Sequence, residues 1–345
     1  MPIHETYMQR CLELAKMGLI NAMPNPSVGS VITHKDKIIG EGYTSPFGGN
    51  HAEVNAINSV KNKELLSEST IYVSLEPCSH FGKTPPCSDL LIQHNFKQVV
   101  IGCVDPNPLV NLNGVQKLKD SGIEIITNVL EKECRASNKR FFAFQEQKRP
   151  YVILKWAQSS DGFIDSIRVS TDQNAAKITS QQSNTLVHKW RSEEMAIMIG
   201  TNTALLDNPS LTVRHVDGTN PTRIVIDKEN KLPKSLAIFN NSAPTICYTT
   251  NHSHQENDNE WVRIDFKNSL KEILDDLHKR NILSLFVEGG QQLHQSFIEA
   301  NLWDEARIFT NSTSLKDGVK APTLGAEPIS ETTVGTDSLS MYKND

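Results

Sequence analysis

The sequence predicts an α/β protein of two domains, and three observations carry that expectation. Its 345 residues exceed one average domain. Strand-like apolar runs alternate with segments of helical spacing through both halves, which implies layers of helix around a largely parallel sheet. Between the halves, "RASNKRFFAFQEQKRP" turns basic and ends in a proline. The boundary falls there, giving domains of residues 1–146 and 147–345.

Taken in order, "MPIHETYMQRCLELAKMG" reads as an amphipathic helix with Tyr7, Cys11, Leu14 and Ala15 on one side. "VGSVITHKDKIIGEG" reads as two strands around a polar turn at His34 to Lys37. "HAEVNAINSV" has helical spacing, "STIYVSLEP" is a buried strand stopped by proline, and "SDLLIQHNF" is helical. "QVVIGCV" is a strand, and "VQKLKDSGIEII" is helix, glycine, strand. In the second half "PYVILKWAQSSDG" opens with a strand, "SNTLVHKWRSE" is helical, and "MAIMIG" and "TRIVID" are short strands. "LSLFVEGG" is a strand with a glycine pair at its exit, leading into the helical "QQLHQSFIEANL". "NHSHQENDNE" is polar and without aromatic residues, so a surface loop is expected.

Composition narrows the function. A hydrophobic share of 38% suits a chain with a real core, and a net charge of −5 with scattered basic residues argues against a nucleic-acid footprint. The N-terminus has no cationic segment followed by an apolar run, and no run of 18 apolar residues exists for a membrane span. Six cysteines in 345 residues make no disulfide framework, so a cytoplasmic location is expected.

Chemistry concentrates in "HAEV" and "EPCSHFGKTPPC". His51, Cys78 and Cys87 supply one nitrogen and two sulfurs, the three-ligand set of a catalytic zinc. Cys78 follows a strand end, where open α/β sheets place their sites, and Cys87 opens a helix whose positive end favours a thiolate. Glu53 is then a carboxylate free to move protons. A purely structural zinc would want a fourth Cys or His, for which His80 is available, but such a site needs no spare Glu53. The order His-x-Glu, then Pro-Cys, then a further cysteine is that of zinc nucleobase deaminases. In these, zinc acidifies a water and the glutamate shuttles protons to the ring nitrogen and the departing ammonia. Nucleic-acid-editing members have a short Pro-Cys-x-x-Cys arrangement. Here eight residues, "SHFGKTPP", separate the cysteines.

With "PNPSVG" from Pro24, "HAEV" from His51, "LEPCSHFGKTPPCSDLLI" from Leu75 and "DPNPLV" from Asp105, the first domain resembles the deaminase half of the bifunctional riboflavin-biosynthesis deaminase/reductase family. The resemblance implies a cytidine-deaminase-like α/β/α layer fold and a phosphoribosylated diaminopyrimidine as substrate. It implies Asn25 in the pyrimidine pocket, with His80 and Lys83 facing the ribose phosphate. One departure is Leu112, which stands where the family usually has glycine; if that position needs positive φ, leucine strains the loop.

On its own the second half offers Glu288-Gly289-Gly290 before a helix, able to cradle a phosphate, and Arg191 and Arg214 as phosphate-binding candidates. "KWAQSSDGFI", "HKWRSEEMAIMIGTNTALLDNPSLTVR", "PTRIVID", "LFVEGG" and "LWDEARIF" resemble the reductase half of the same family, whose fold is similar to dihydrofolate reductase. "VGTDSLSMY" resembles its closing strand. The resemblance implies NADPH as reductant of the ribosyl group. It places Gln158, Lys177, Thr179, Thr203, Asp207 and the amides of Gly289 and Gly290 at the cofactor. Arg191, Leu211, Arg214 and Glu288 fall at the phosphosugar, and members of this kind work as homo-oligomers, dimers or larger. In "AAKIT", however, Ala175 replaces a substrate-contacting serine and Lys177 a cofactor-packing tryptophan, after a long polar loop, "DSIRVSTDQN". The alternative is a zinc deaminase for another base or for nucleic acid, beside a reductase-like domain that has lost activity or serves assembly.

Overall fold

A left-handed pair, Lys35 (φ 48°) and Asp36 (φ 58°), turns β1 (Gly29–His34) into β2 (Lys37–Tyr43). Two consecutive positive φ values give the mirror-image turn that matches strand twist, so the expected hairpin forms. The computed structural model describes residues 2–79, 81, 85–107, 110, 112–170 and 172–344. The chain divides into two compact units, Met1–Lys148 and Arg149–Asp345.

In the first unit, α1 (Ile3–Ala22) buries Met8, Cys11, Leu12, Leu14 and Ala15. It is followed by the hairpin, α2 (Ala52–Ser59), β3 (Thr70–Leu75), α3 (Cys87–Gln93), β4 (Gln98–Cys103), α4 (Asn113–Asp120), β5 (Glu124–Ile126), α5 (Glu131–Ser137) and α6 (Lys139–Gln147). The sheet order is β2-β1-β3-β4-β5. Only β3–β4 and β4–β5 are parallel, whereas β1 pairs antiparallel with both β2 and β3. The largely parallel sheet expected here is thus a mixed one. A tight hairpin reverses direction without a crossover, so strands separated by helices in the sequence need not all run alike.

Glycine in β2 sets how closely α2 lies on this sheet. A Cβ on Gly42 would sit 2.3 Å from the Ala56 nitrogen and 2.6 Å from the Ala52 oxygen. The helix backbone therefore rests directly on the strand, which fixes the height of everything at its N-terminus.

The second unit contains β6 (Tyr151–Gln158), β7 (Phe163–Asp165), α7 (Gln181–Glu193), β8 (Ala196–Ile199), α8 (Thr201–Asp207), β9 (Thr222–Ile226) and β10 (Thr245–Thr249). It continues with β11 (His254–Glu256), β12 (Asn259–Arg263), α9 (Ser269–Lys279), β13 (Ser284–Val287) and α10 (Gln291–Glu299). β14 (Glu305–Thr310), β15 (Val319–Lys320), β16 (Ser330–Val334) and β17 (Asp337–Lys343) complete it. Ten strands form one sheet in the order β11-β12-β10-β9-β8-β13-β6-β14-β17-β16. From β12 to β14 every pairing is parallel, and antiparallel strands close both edges. Val152, Leu154, Ala196, Met198, Leu285 and Val287 lie at the centre of its core, with Leu274, Leu277 and Phe297 packed from α9 and α10. The segment expected to be a surface loop instead forms the β11–β12 edge hairpin around Asn257 (φ 53°). β11 is exposed along its length, so its residues carry no apolar signature. Among the described residues no helix is long and apolar enough to cross a membrane.

Candidate active sites

His51 is the N-cap of α2, so its ring leaves the helix end with an extended backbone (φ −72°, ψ 163°), and Glu53 follows in the first turn. Cys78 lies three residues beyond the end of β3, and Cys87 is the first residue of α3. His51 Nδ1 stands 3.3 Å from Cys87 Sγ and 3.6 Å from Cys78 Sγ. Tetrahedral zinc with ordinary Zn–N and Zn–S bonds separates its ligand atoms by roughly 3.5 Å, so this donor set fits the ion. All three ligand atoms lie within 4.8 Å of one another, and no other such cluster of three metal-binding side chains occurs among the described residues.

The two thiols differ. The Cys78 thiol is brought down to about 4, first by the hydrogen bond from the Cys87 side chain and further by His51 and the Cys87 backbone amide. Donation to Cys78 Sγ raises the Cys87 thiol. The first amide of α3, Cys87 N, points at Cys78 Sγ from 3.3 Å, so the positive start of that helix also favours an anion at Cys78. Burial raises the Glu53 carboxyl to about 6, with the Cys78 charge adding to the effect. Only 4% of Glu53 is exposed, so it is a dry carboxylate beside the ligand cluster.

Asn25 sits half-buried in the loop between α1 and β1, its amide donating to Ala22 O. His80 and Lys83 lie outside the described residues. Leu112 has φ 63°, so the position does require the left-handed region that glycine occupies freely. Two residues passed over in the sequence also belong to this region. Glu76 is buried and accepts hydrogen bonds from Asp105, Leu112, Gly114 and Val115 backbone amides. Burial raises Asp105 to about 6, and the charges of Glu76 and Cys78 act on it in the same direction. A glutamate closing a buried strand, directly before Pro-Cys, was the available signal for the first.

In the second unit, the carboxyl ends of β8, β13 and β6 lie side by side and carry Thr201–Asp207, Glu288-Gly289-Gly290 and Gln158 respectively. Gly290 has φ 81° and is the N-cap of α10, which no side chain caps. A Cβ on Gly289 would meet the Ile199 side chain at 2.8 Å and Thr203 Cγ2 at 3.0 Å. Backbone amides at an uncapped helix start, pressed against Thr203, suit the pyrophosphate of a dinucleotide such as NADPH. Thr179 donates to Asn184 Oδ1 at 3.1 Å, and Lys177 and Ala175 are exposed. Asp207 pairs with Arg168 at 2.5 Å, and Arg168 also binds Asp165, so the long polar loop is tied to α8. Beyond β9, β10 and β12 a cavity of about 640 Å³ opens among Lys228, Thr250, Arg263, Asp265, Phe266 and Lys267.

Arg191 grips Glu288 through both oxygens, at 2.6 and 2.8 Å, and donates to Thr212 O at 3.3 Å. Burial alone would raise Glu288, but Arg191, with Lys155 and His188, holds it down at about 2. Burial lowers the ammonium of Lys155; the Glu288 charge opposes this and the Arg191 charge adds to it. A lone lysine inside the apolar run "YVILKWA" was the signal for it. Leu211 is buried with φ 55°, and the Arg214 amide donates to His188 Nδ1 at 3.1 Å. Burial, Arg191 and His215 hold His188 at about 4, a neutral acceptor.

A family model described as the cytidine and deoxycytidylate deaminase zinc-binding region matches residues 1–103, and one described as the RibD C-terminal domain matches residues 150–333. Riboflavin biosynthesis protein RibD of Aquifex aeolicus is 38% identical over 335 residues, 95% of this chain and 92% of that protein. RibD of Actinobacillus pleuropneumoniae is 37% identical over 338 residues, 94% and 88%. The solved deaminase/reductase of Thermotoga maritima superposes with a TM-score of 0.89 at 34% identity, covering 99% of both chains. RibD of Acinetobacter baumannii gives a TM-score of 0.89 at 30% identity, again over 99% of both. The chain belongs to the RibD family, the bifunctional zinc deaminases and NADPH-using reductases of riboflavin biosynthesis.

Proposed function

We propose that residues 1–146 deaminate a diaminopyrimidine bearing a phosphoribosylamino group, and that residues 147–345 then reduce its ribosyl group to ribityl with NADPH. The Thermotoga maritima relative is named for a diaminohydroxyphosphoribosylaminopyrimidine deaminase and a 5-amino-6-(5-phosphoribosylamino)uracil reductase. The observation that carries the first activity is a dry Glu53 beside the His51–Cys78–Cys87 triangle. Zinc held there by those three residues supplies a water acidic enough to lose its proton near neutral pH. Glu53 accepts that proton and passes protons to the ring nitrogen and the departing amine, and its burial keeps competing water away. Asn25, His80 and Lys83 are assigned to the pyrimidine and its phosphate.

In the reductase, Gly289 and Gly290 amides, Thr203, Thr179, Gln158, Asp207 and Lys177 are assigned to the cofactor. Arg191, Arg214, Leu211 and Glu288 are assigned to the phosphosugar. The uncapped α10 start, and the cations Lys228, Arg263 and Lys267 in a cavity that Asp265 and Glu272 also line, support phosphate binding along this edge. Bound NADPH supplies hydride, and the protein contributes alignment of donor and acceptor. The chain is taken to work as a homo-oligomer, dimer or larger, in the cytoplasm. The exposed edge strand β16 offers a pairing surface, and all six cysteines are free thiols.

Ammonia release and NADPH oxidation, followed separately, test this. Glu53→Gln should keep stoichiometric zinc, lose deamination by about 10²–10⁴-fold, and still oxidise NADPH when given the deaminated intermediate. Unchanged ammonia release would sink the assignment. Wild-type ammonia release without NADPH oxidation would mean that the Ala175 and Lys177 changes have cost the second activity.

A further inference from the structure

The Glu76 carboxylate is buried at the end of β3, yet among the described residues its hydrogen-bond partners are backbone amides. Oε1 accepts from Gly114 N (3.0 Å) and Val115 N (3.1 Å), and Oε2 from Leu112 N (3.0 Å) and Asp105 N (3.3 Å). Four donors match the four acceptor sites of an ionised carboxylate. The set includes the second and third amides of α4, Gly114 N and Val115 N, and the N-cap, Leu112, supplies no side-chain cap of its own. Glu76 therefore caps α4 from another strand and holds Leu112 in its left-handed conformation.

The same residue is two positions before Cys78. Its own amide extends the β3–β4 ladder by donating to Cys103 O at 3.0 Å. Pro77, between them, is wedged in place: a Cβ on Gly114 would lie 2.2 Å from Pro77 O. On the far side of Cys78, Ser88 N donates to Cys78 O at 3.1 Å. The Cys78 backbone is thus gripped from the α4 side through Glu76 and Pro77, and from the α3 side through Ser88.

We propose that Glu76 is a positioning residue for the zinc ligand Cys78, locking the ligand-bearing segment to the start of α4. This rests on His51, Cys78 and Cys87 being the zinc ligands. A glutamine at position 76 keeps shape and volume, but its amide nitrogen faces two of the four N–H donors and must push them away. The grip on Cys78 then loosens while the sheet beneath stays intact.

The test measures zinc affinity of the full chain by chelator competition, with amide hydrogen-exchange protection of the first unit as a check on its folding. Glu76→Gln should weaken zinc binding by about 10–100-fold, as loss of an outer-shell partner does, with that protection unchanged. A merely structural role would lower the unfolding temperature and leave the zinc affinity of the folded chain alone; that result overturns the proposal. Should Glu76→Gln lose that protection as well, Gly114→Ala applies the same displacement sterically, through Pro77. Weakened zinc there supports the positioning role, and wild-type zinc affinity overturns it. Zinc held equally well by His51→Ala would overturn the ligand assignment itself and the positioning role with it.

Discussion

Substituting Glu288 by glutamine tests the energetic centre of the second unit. The carboxylate and the Arg191 guanidinium are joined by two short bonds, and their side chains are only 8% and 12% exposed. Glutamine leaves the guanidinium buried with Thr212 O as a weaker partner at 3.3 Å. Depression of Glu288 from 4.5 to about 2 is worth about 3 kcal/mol, at about 1.4 kcal/mol per tenfold change in proton affinity. That agrees with the 3–5 kcal/mol or so for breaking a buried pair by removing one partner. For a unit of this size it means an unfolding temperature lower by about 6–12 °C. The folded pKa is depressed, so the stabilisation is fully present above the ordinary value of 4.5 and is lost as pH falls through about 2. The stability gap between wild type and Glu288→Gln should therefore be full at pH 6, narrow from about pH 4.5 downward, and vanish only as pH falls through about 2. All four tryptophans, Trp156, Trp190, Trp261 and Trp303, are buried in the second unit, so their fluorescence reports its unfolding alone. A gap that stays constant from pH 6 to pH 3, or that is under 2 °C at pH 6, refutes the pairing argument.

Three further outcomes follow from the same geometry. Leu112→Gly removes a left-handed leucine that is 52% exposed; first-unit stability, read by denaturant titration of far-UV circular dichroism, should rise by about 1 kcal/mol. Gly42→Ala drives a methyl into the α2 backbone at Ala52 and Ala56, moving His51 and Glu53 together; both zinc content and ammonia release should fall, and retention of both would show that helix height is unimportant. Lys228→Ala or Lys267→Ala, in the cavity beyond β9, β10 and β12, should raise KM for NADPH by roughly tenfold, the equivalent of one charge-assisted contact, with a much smaller change for NADH. Equal changes for both cofactors would remove the cavity from phosphate recognition.

The zinc triangle was legible in the sequence because its chemistry is rare: histidine, glutamate and two cysteines in fixed order leave few other readings. The alternation of apolar runs and helical spacing likewise announced layers of helix and sheet. Strand direction in the first sheet was not legible, because β1 and β3 look alike from either end. The β11–β12 hairpin was hidden by its exposure, which removes the alternation that marks a strand.

What the sequence determined by itself is a matter of residue type and local order: the donor side chains His51, Cys78 and Cys87, the carboxylate Glu53 beside them, the glycine pair before α10, and the odd leucine at 112. What only the tertiary structure decided is which groups face one another. It aimed the first amide of α3, Cys87 N, across the site at Cys78 Sγ. It turned Arg191 and Glu288, 97 positions apart, into one buried pair. It made Glu76 a cap for a helix that starts 37 residues later. Charge and hydrogen-bonding capacity are written in the chain, but their strength depends on distance and dryness, and those exist only once the sheets are assembled.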